Sequence, residues 1–298
     1  MKQRRAIKQH AVFDHGGGSS PARRAGLLAT LLQVAGFDGF GLWMLGGLAL
    51  AVGAFPEGRG DVLVPLAMGA ALAGVGLIAA CLHSRWMPHW HGWVIRHGSW
   101  PTADALAALG TLLPVLALAG LVRGDNAFWA TRLAGALLAV CSLGSLILTS
   151  HADARRRAPG MDVKLATQLP LSRVISAAYG GGLWLWLCVV GQDVDDANRH
   201  PTAWIVGLLM LALLRGLIEN MRWQSVLVRA DGAGARYELP PRRYLAALLG
   251  YAVPCLALLL SSYGGGQLMI AAVAAVSCLV GMGIELTLYD GALAALPP

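Results

Sequence analysis

Six ionisable residues lie within long apolar stretches of this chain, where a charged side chain is costly and is usually paired or functional. They are Asp38, Asp104, Arg132, Arg215, Glu219 and Glu285. A carboxylate can take up or release a proton, and an arginine can hold a carboxylate through hydrogen bonds. These residue types indicate proton-coupled chemistry or ion pairing in an apolar interior.

A second group of residues joins two apolar stretches. His83 ends one stretch and Asp104 begins the next. Four tryptophans lie between them, at Trp86, Trp90, Trp93 and Trp100. Histidine exchanges a proton near neutral pH, and indole rings can wall a flat ring. Two interpretations stay open: a binding site for a ring-shaped ligand, or an interfacial segment followed by a helix-start acid.

The remaining acids raise the question of what neutralises them. Glu219 follows Arg215 by four residues, so the two can pair on one helix face. Glu285 lies four residues before Tyr289 and has no such partner, and Asp38 poses the same question. We expect each unpaired acid to be protonated, to bond to another helix or to face a polar cavity.

Glycines surround Asp38, at Gly36, Gly39 and Gly41. Because glycine has no side chain, another backbone can approach it closely, and small residues are enriched where membrane helices pack. The pattern therefore predicts close packing of another helix, or of a ligand, around Asp38.

The apolar stretches determine the fold class. Of the 298 residues, 56% are hydrophobic and 13% are charged, whereas soluble domains average about 25% charged residues. Lipid is therefore expected to cover most of the surface, and about 20 apolar residues suffice for a helix to cross it. We predict an all-α polytopic membrane bundle with eight transmembrane helices, over residues 27–55, 62–82, 103–122, 128–150, 174–190, 203–218, 244–263 and 268–289.

Basic residues are distributed unequally between the two sides of this bundle. Eighteen of the 23 Lys and Arg residues lie on the side of the N-terminus, and only Arg59, Arg123 and Arg199 lie opposite. The positive-inside rule therefore places both termini in the cytoplasm, an N-in/C-in topology. The net charge of +7 is explained by this topology, so we predict no nucleic-acid partner.

Two regions are predicted. Residues 1–25 form a basic cytoplasmic tail, and residues 26–298 form the transmembrane domain. Arg-Arg pairs in the tail are not followed by a short apolar core with a small-residue cleavage site, so the tail is not predicted to be a secretory signal.

Cysteine and histidine spacing does not indicate a metal centre. The five cysteines lie in or at the ends of the apolar stretches and none has Cys-x-x-Cys spacing, which favours a packing role. A transmembrane haem needs histidines inside spans, but His83, His89, His91 and His97 share one end-loop region. We therefore predict no haem, iron–sulfur cluster or metal in this chain.

Two motifs resemble those of the DmsC family, the membrane anchor subunits of dimethyl sulfoxide reductase-type molybdoenzymes, and more distantly the NrfD-type anchors. They are GLIAACLH at 76–83 and SWPTADAL at 99–106. Residues 280–291 are similar to the last helix of the family, with Tyr289 at the matching aromatic position. The chain length and the eight predicted helices agree with the family throughout.

The chain departs from the family pattern at three places. Leu-His-Leu-Gly in the family is Leu-His-Ser-Arg here, at 82–85. The acid that opens the third helix is Asp104 instead of Glu, and Glu285 stands where many members have Arg. These changes bear on the ligand geometry and on the type of quinone.

The resemblance implies a quinone-reactive subunit, multi-pass in the bacterial inner (cytoplasmic) membrane. His83 and Asp104 would be its catalytic residues, and Glu219 and Glu285 its proton path. The quinone, menaquinone or ubiquinone, would be bound by His83, Trp86, Trp90, Trp93, Trp100, Asp104 and Tyr289. A four-cluster ferredoxin-like iron–sulfur subunit would dock on the His83–Asp104 face, with a molybdopterin catalytic subunit beyond it.

The predicted orientation indicates on which side of the membrane the partner subunits lie. Because the quinone-site loop faces the cytoplasm, the iron–sulfur and molybdopterin partners are expected there. That arrangement is most similar to the anchor of cytoplasmic sulfite dehydrogenase complexes, which deliver electrons to quinone. In that case the chain is the quinone-site subunit of an oxidoreductase complex.

Three alternatives stay open. One is a quinol-oxidising anchor of a dimethyl sulfoxide or oxyanion reductase used in anaerobic respiration. Another is a purely structural anchor with a degenerate site. The third is a proton-coupled secondary transporter that uses Asp38, Arg215 and Glu285, which predicts inverted repeats and Gly- or Pro-broken central helices. No convincing repeat is evident in the sequence, and the acids favour one face of the membrane over its midplane.

The charge distribution predicts which residues face the cytoplasm. In a cysteine-free background, Ser19→Cys in the tail should react with a membrane-impermeant thiol reagent only in inside-out vesicles. Asn126→Cys, on the side with few basic residues, should react only in intact cells. Labelling of both variants from the same side would contradict the topology.

Overall fold

Every regular element in the described part of the chain is a helix. The computed structural model describes residues 27–55, 61–82, 103–124, 128–157, 163–192, 201–232, 241–261 and 267–295. Over these residues the predicted all-α fold is confirmed. The predicted tail, 1–25, lies outside them.

Eight helical segments correspond to the eight predicted stretches. The third is divided at Thr111, and the seventh contains a π-helical turn, Leu248–Ala252. The helices are α1 Leu27–Val52, α2 Leu63–Leu82, α3 Ala103–Gly110, α4 Leu112–Leu121, α5 Trp129–Arg157, α6 Val163–Gly191, α7 Pro201–Gly232, α8 Arg242–Ala247, α9 Val253–Ser261 and α10 Gln267–Ala295.

Six helices in the described residues are long and apolar enough to cross a membrane: Leu27–Val52, Trp129–His151, Leu169–Gly191, Thr202–Ser225, Arg242–Ser261 and Gln267–Ala292. In two further predicted spans the apolar helix that can be assessed is shorter, Leu63–Leu77 and Leu106–Leu121. The helices thus indicate a multi-pass membrane protein, whereas the count of eight spans stays a prediction.

Helix α7 has the burial pattern expected of a protein in lipid. Its charged residues Arg215 and Glu219 are 2% and 5% exposed, whereas Leu213 and Leu217 are 59% and 57% exposed. In water this arrangement would be strongly unfavourable, because soluble proteins bury apolar side chains and expose charged ones. In a bilayer it presents leucines to the lipid and keeps the charges inside the bundle.

Helix α1 lies at the centre of the bundle, in contact with α2, α5, α6 and α10. Its glycines allow these neighbours to approach. A Cβ on Gly39 would lie 2.6 Å from the backbone nitrogen of Ala73, and one on Gly41 would overlap the carbonyl oxygen of Ala177. The glycines around Asp38 therefore admit other helices, which is one of the two roles predicted for them.

The contacts also fix the directions of the helices. Gly180 lies beside Asp38, and Leu185 lies beside Gly46, so α6 runs parallel to α1. Helix α10 runs antiparallel to α1, and a hydrogen bond of 2.8 Å joins Thr30 to Thr287. The beginning of α1 and the end of α10 therefore lie at the same end of the bundle, which we call the terminal end.

A few residues recur at a similar spacing in the two halves of the chain. This recurrence was not evident from the apolar pattern, because that pattern is similar in every span. Pro101, Gly110, Pro114 and Leu118 in the first half recur as Pro241, Gly250, Pro254 and Leu258 in the second. Likewise GLW at 41–43 recurs at 182–184, and the AV of 139–140 recurs at 275–276.

Helix packing repeats in the same way. Helix α1 contacts α2 and α5 as α6 contacts α7 and α10, and α3 and α4 pack on α5 as α8 and α9 pack on α10. The helix is irregular at Gly110 and Thr111 before Pro114, and again in the π-helical turn before Pro254. Because α1 and α6 are parallel, the repeat is direct and not inverted.

The glycine contacts of α1 predict a contrast between two substitutions. Gly41→Ala should destabilise the bundle by about 1–3 kcal/mol, since the added methyl group has no space beside Ala177. Gly74→Ala meets nothing within 4 Å and should be neutral or slightly stabilising, because alanine favours helix. Thermal unfolding in detergent, followed by circular dichroism, measures both. Equal melting temperatures would contradict the packing.

Candidate functional site

A cavity of about 80 Å³ lies among α1, α6, α7 and α10, with Ser150 of α5 at its wall. It occupies the part of the bundle that faces the terminal end. Its walls are partly apolar, with Phe37 and Leu286 among them. The polar and charged side chains that line it are Asp38, Ser150, Ser172, Arg173, Ser176, Arg215, Glu219, Arg222, Glu285 and Tyr289.

The outer ion pair joins Glu219 to Arg222, one turn apart on α7. Arg222 donates to both carboxylate oxygens, at 3.0 and 3.2 Å. Ser172 of α6 donates to Glu219 at 2.6 Å and accepts from Arg222 at 3.1 Å. This pair is thus fixed by a serine from the neighbouring helix, which replaces the water that both charges lose on burial.

The inner ion pair crosses between helices. Arg215 of α7 donates to Glu285 of α10 at 2.5 Å and to Ser176 of α6 at 3.2 Å. Its guanidinium also lies 4.5 Å from the ring centre of Tyr251, in the π-helical turn. A Cβ on Gly250 would lie 3.4 Å from Arg215 Nη1, so a glycine in that turn leaves room for the guanidinium.

Asp38 has a different environment. It is 1% exposed, and neither carboxylate oxygen has a hydrogen bond of normal geometry in the described residues. The indole of Trp184 lies near it at longer range, and Arg215 interacts with it electrostatically. Asp38 is therefore a buried carboxylate that borders the cavity without a fixed hydrogen-bonding partner.

Aromatic rings and arginines pack together beside the outer ion pair. Arg222 lies 3.5 Å from the ring centre of Tyr289, which packs edge-to-face on Trp223 at 5.7 Å. Arg243 lies over the ring of Trp223, at 4.9 Å from the ring centre. Cation–π contacts of this kind hold guanidinium groups where few hydrogen-bond acceptors exist.

Several residues predicted from sequence meet in this cavity. Glu219, Glu285 and Tyr289, which lie on two helices, line it together with Asp38 and Arg215. Glu285 bonds to another helix and faces a polar cavity, both of which were expected outcomes for an unpaired acid. Arg215 pairs with Glu285 and not with Glu219, because α10 packs close enough for Glu285 to reach its guanidinium.

The remaining predicted residues cannot be compared with this cavity. His83, Trp86, Trp90, Trp93 and Trp100 lie outside the described residues. Asp104 lies in α3, whose backbone packs on α5, but its side chain is outside the description. Their roles as catalytic and quinone-binding residues stay predictions.

Other members of the site were not anticipated from the sequence. Arg222 is one of the eighteen basic residues that the sequence places on the side of the N-terminus, beyond the predicted span, yet it is 9% exposed and bonded to Glu219. Ser172 and Ser176 carried no signal of their own. The i, i+3 spacing of Glu219 and Arg222 could have shown that α7 extends beyond its predicted end at 218.

Among the described residues, no cluster of three or more His, Cys, Asp or Glu side chains has the arrangement needed to hold a metal ion. Cys188, Cys255 and Cys278 are free thiols in this part of the chain.

Comparisons of the chain with protein-family models, curated proteins and solved structures found no match. The resemblance to anchor subunits therefore depends on the two sequence motifs and the last helix.

The cavity chemistry is that of acids held between arginines. Glu219 and Glu285 are each paired, so a change in the protonation of either would release an arginine to another partner. Asp38, without a fixed partner, can change protonation with less rearrangement. Such a set of groups can pass protons, provided that water reaches it.

The inner ion pair predicts that substitutions of Arg215 and Glu285 have non-additive effects on the free energy of unfolding. Arg215→Met alone, or Glu285→Met alone, leaves a buried charge without its partner and should destabilise the protein by about 3–5 kcal/mol. The double variant should recover most of this loss, since both charges are removed. Unfolding titrations in mixed micelles measure the cycle. Additive losses would contradict a direct interaction.

Proposed function

We propose that this chain is the membrane anchor subunit of a molybdoenzyme and iron–sulfur complex, and that it exchanges electrons with the quinone pool. The observation that carries the proposal is the cavity, which joins Glu219, Glu285 and Tyr289 to four further charged groups: Asp38, Arg173, Arg215 and Arg222. Quinone reduction consumes protons as well as electrons, and a group of buried acids near one end of the bundle suits that need. The motifs at 76–83 and 99–106 supply the link to quinone.

In this proposal the quinone head binds between the ends of α2 and α3. His83 hydrogen-bonds one quinone oxygen and delivers a proton to it, and Asp104 exchanges that proton with water. The tryptophans at 86, 90, 93 and 100 form the walls around the ring, and the isoprenoid tail lies in lipid. Glu219 and Glu285 supply protons to this chemistry from the cytoplasm.

The partners follow from the proposed orientation. A four-cluster ferredoxin-like subunit docks on the cytoplasmic face and passes single electrons to quinone, and a molybdopterin subunit that oxidises a substrate such as sulfite supplies them. If the partner instead has a high reduction potential, electrons flow the other way, and the chain oxidises quinol for a reductase.

A proton-coupled secondary transporter is the second candidate. It is favoured by one observation: Asp38, Arg215 and Glu285 surround one cavity between helices of both halves. The irregular helices at Gly110 and before Pro254 add to it, because transporter sites often lie at interrupted helices near the interface of repeats. Direct repeats occur in some transporter folds.

The anchor proposal predicts the effects of His83→Ala and Asp104→Asn. Each should lower quinone-coupled turnover of the assembled complex by about 10²-fold or more, the usual contribution of a general acid or base. Turnover with a soluble dye acceptor should be unchanged, because the catalytic subunit is untouched. His151→Ala and Asp61→Asn are the matched controls and should behave as wild type.

Two results would separate the candidates. Normal quinone-coupled turnover in both variants, with the complex assembled, would overturn the assigned site. Absence of quinone from the purified chain, together with substrate-dependent proton uptake into proteoliposomes, would favour the transporter.

A further inference from the structure

The ionisable groups of the cavity form a series that leads inward from the terminal end. Arg222 lies seven residues beyond Arg215 on α7, which is about 10 Å along a helix. Asp38 lies deeper. Its carboxylate and the end of the Met282 side chain both lie next to Gly180, and Met282 is about one turn further into the bundle than Glu285. Asp38 is near the midpoint of α1, so the series extends from one end to the middle of the bundle.

Space for the Asp38 carboxylate is provided by a glycine. A Cβ on Gly180 would overlap Asp38 Oδ1, and a side chain there would displace the acid. Groups from three helices face Asp38. They are Arg215 from α7, Cys278 and Glu285 from α10, and Trp184 from α6. None of them forms a hydrogen bond of normal geometry to it in the described residues.

The size of the cavity decides what it can hold. At about 80 Å³ it is roughly half the volume of a 150 Å³ cavity that accepts benzene, so a quinone ring does not fit inside. A water needs only about 10–15 Å³ of such volume and two to four polar partners. Asp38, Ser150, Ser176 and Arg215 supply such partners, so the cavity is suited to a short chain of waters.

The first half of the chain shows that these charges are not needed to build the fold. Helix α2, the counterpart of α7 in the repeat, contains no charged residue. It nevertheless packs on α1 as α7 packs on α6. Buried ion pairs stabilise little compared with apolar packing, so the charges of α7 indicate a role beyond building the fold.

We propose that Asp38 is a proton-binding site at the inner end of a water-filled path that opens towards the terminal end of the bundle. A proton enters past Glu219 and Arg222, moves along the waters beside the Arg215–Glu285 pair, and binds to Asp38. Each water accepts a proton on one side as it gives one up on the other, so an O–H bond of the last water breaks as a new one forms on the carboxylate, no hydroxide is left, and the oxidation state of no group changes. This inference deepens the proposed function. The site and the path do not depend on that function, and only the final use of the proton rests on it.

Infrared difference spectroscopy of the full chain in lipid nanodiscs tests the site. A step to lower pH should produce the carbonyl band of a protonated carboxylic acid, which shifts to lower frequency in D₂O. This band should be missing in Asp38→Asn and retained in Asp61→Asn, since Asp61 lies at the opposite end. A band that is unchanged in Asp38→Asn would overturn the proposal.

Filling the cavity with a larger side chain tests the path in a protein that keeps Asp38. Ser150 lines the cavity, and its hydroxyl donates to Leu146 O of its own helix, so replacing it breaks no ion pair. Ser150→Leu should slow the deuterium shift of the Asp38 band by about tenfold or more, because exchange then requires local opening, whereas Ser150→Ala should not. Equal exchange rates in the two variants would exclude this path.

These results are separable from those on quinone chemistry. Loss of the Asp38 band with normal turnover would leave the anchor proposal intact, and loss of turnover in the His83 and Asp104 variants leaves the infrared result unaffected. Gly180→Ala should shift the band by displacing the carboxylate, and Gly182→Ala, which meets only the flexible side chains of Leu208 and Leu45, should not.

Discussion

Backbone contact between α1 and its neighbours is the constraint on which the rest of the bundle depends. In lipid the hydrophobic effect does not drive helices together, so close van der Waals packing must do so. Gly39, Gly41 and Gly47 bring α2, α6 and α5 against α1. Because α1 and α6 are held this closely, their remaining faces are left to form the cavity with α7 and α10.

The cavity combines two opposing demands. Its charges must be kept from lipid, and Arg215, Glu219, Arg222 and Glu285 are paired, held by a serine or stacked on an aromatic ring. Yet the groups must stay able to exchange partners if they are to move protons. Asp38 meets the second demand most directly, since it is buried without a fixed hydrogen bond, and Gly180 leaves the space it occupies.

The two halves of the chain pack in the same order but differ in charge. Each half has an irregular helix before a proline, a break at Thr111 in one and a π-helical turn in the other, but only α7 has the buried arginines and acid that α2 lacks. One half can therefore supply the scaffold while the other diverges. The cavity lies where α1 of the first half meets three helices of the second.

The sequence alone determined that this is an all-helical membrane protein, because the apolar stretches and the low charge allow little else. It also showed that Glu285 and Asp38 needed partners or a cavity, since isolated charges are unstable in lipid. Which helices meet was decided only by the tertiary structure: Arg215 joins Glu285 across helices, and Arg222 belongs to the interior. Apolar patterning shows which face of a helix is buried, but small-residue contacts between distant segments determine its neighbours.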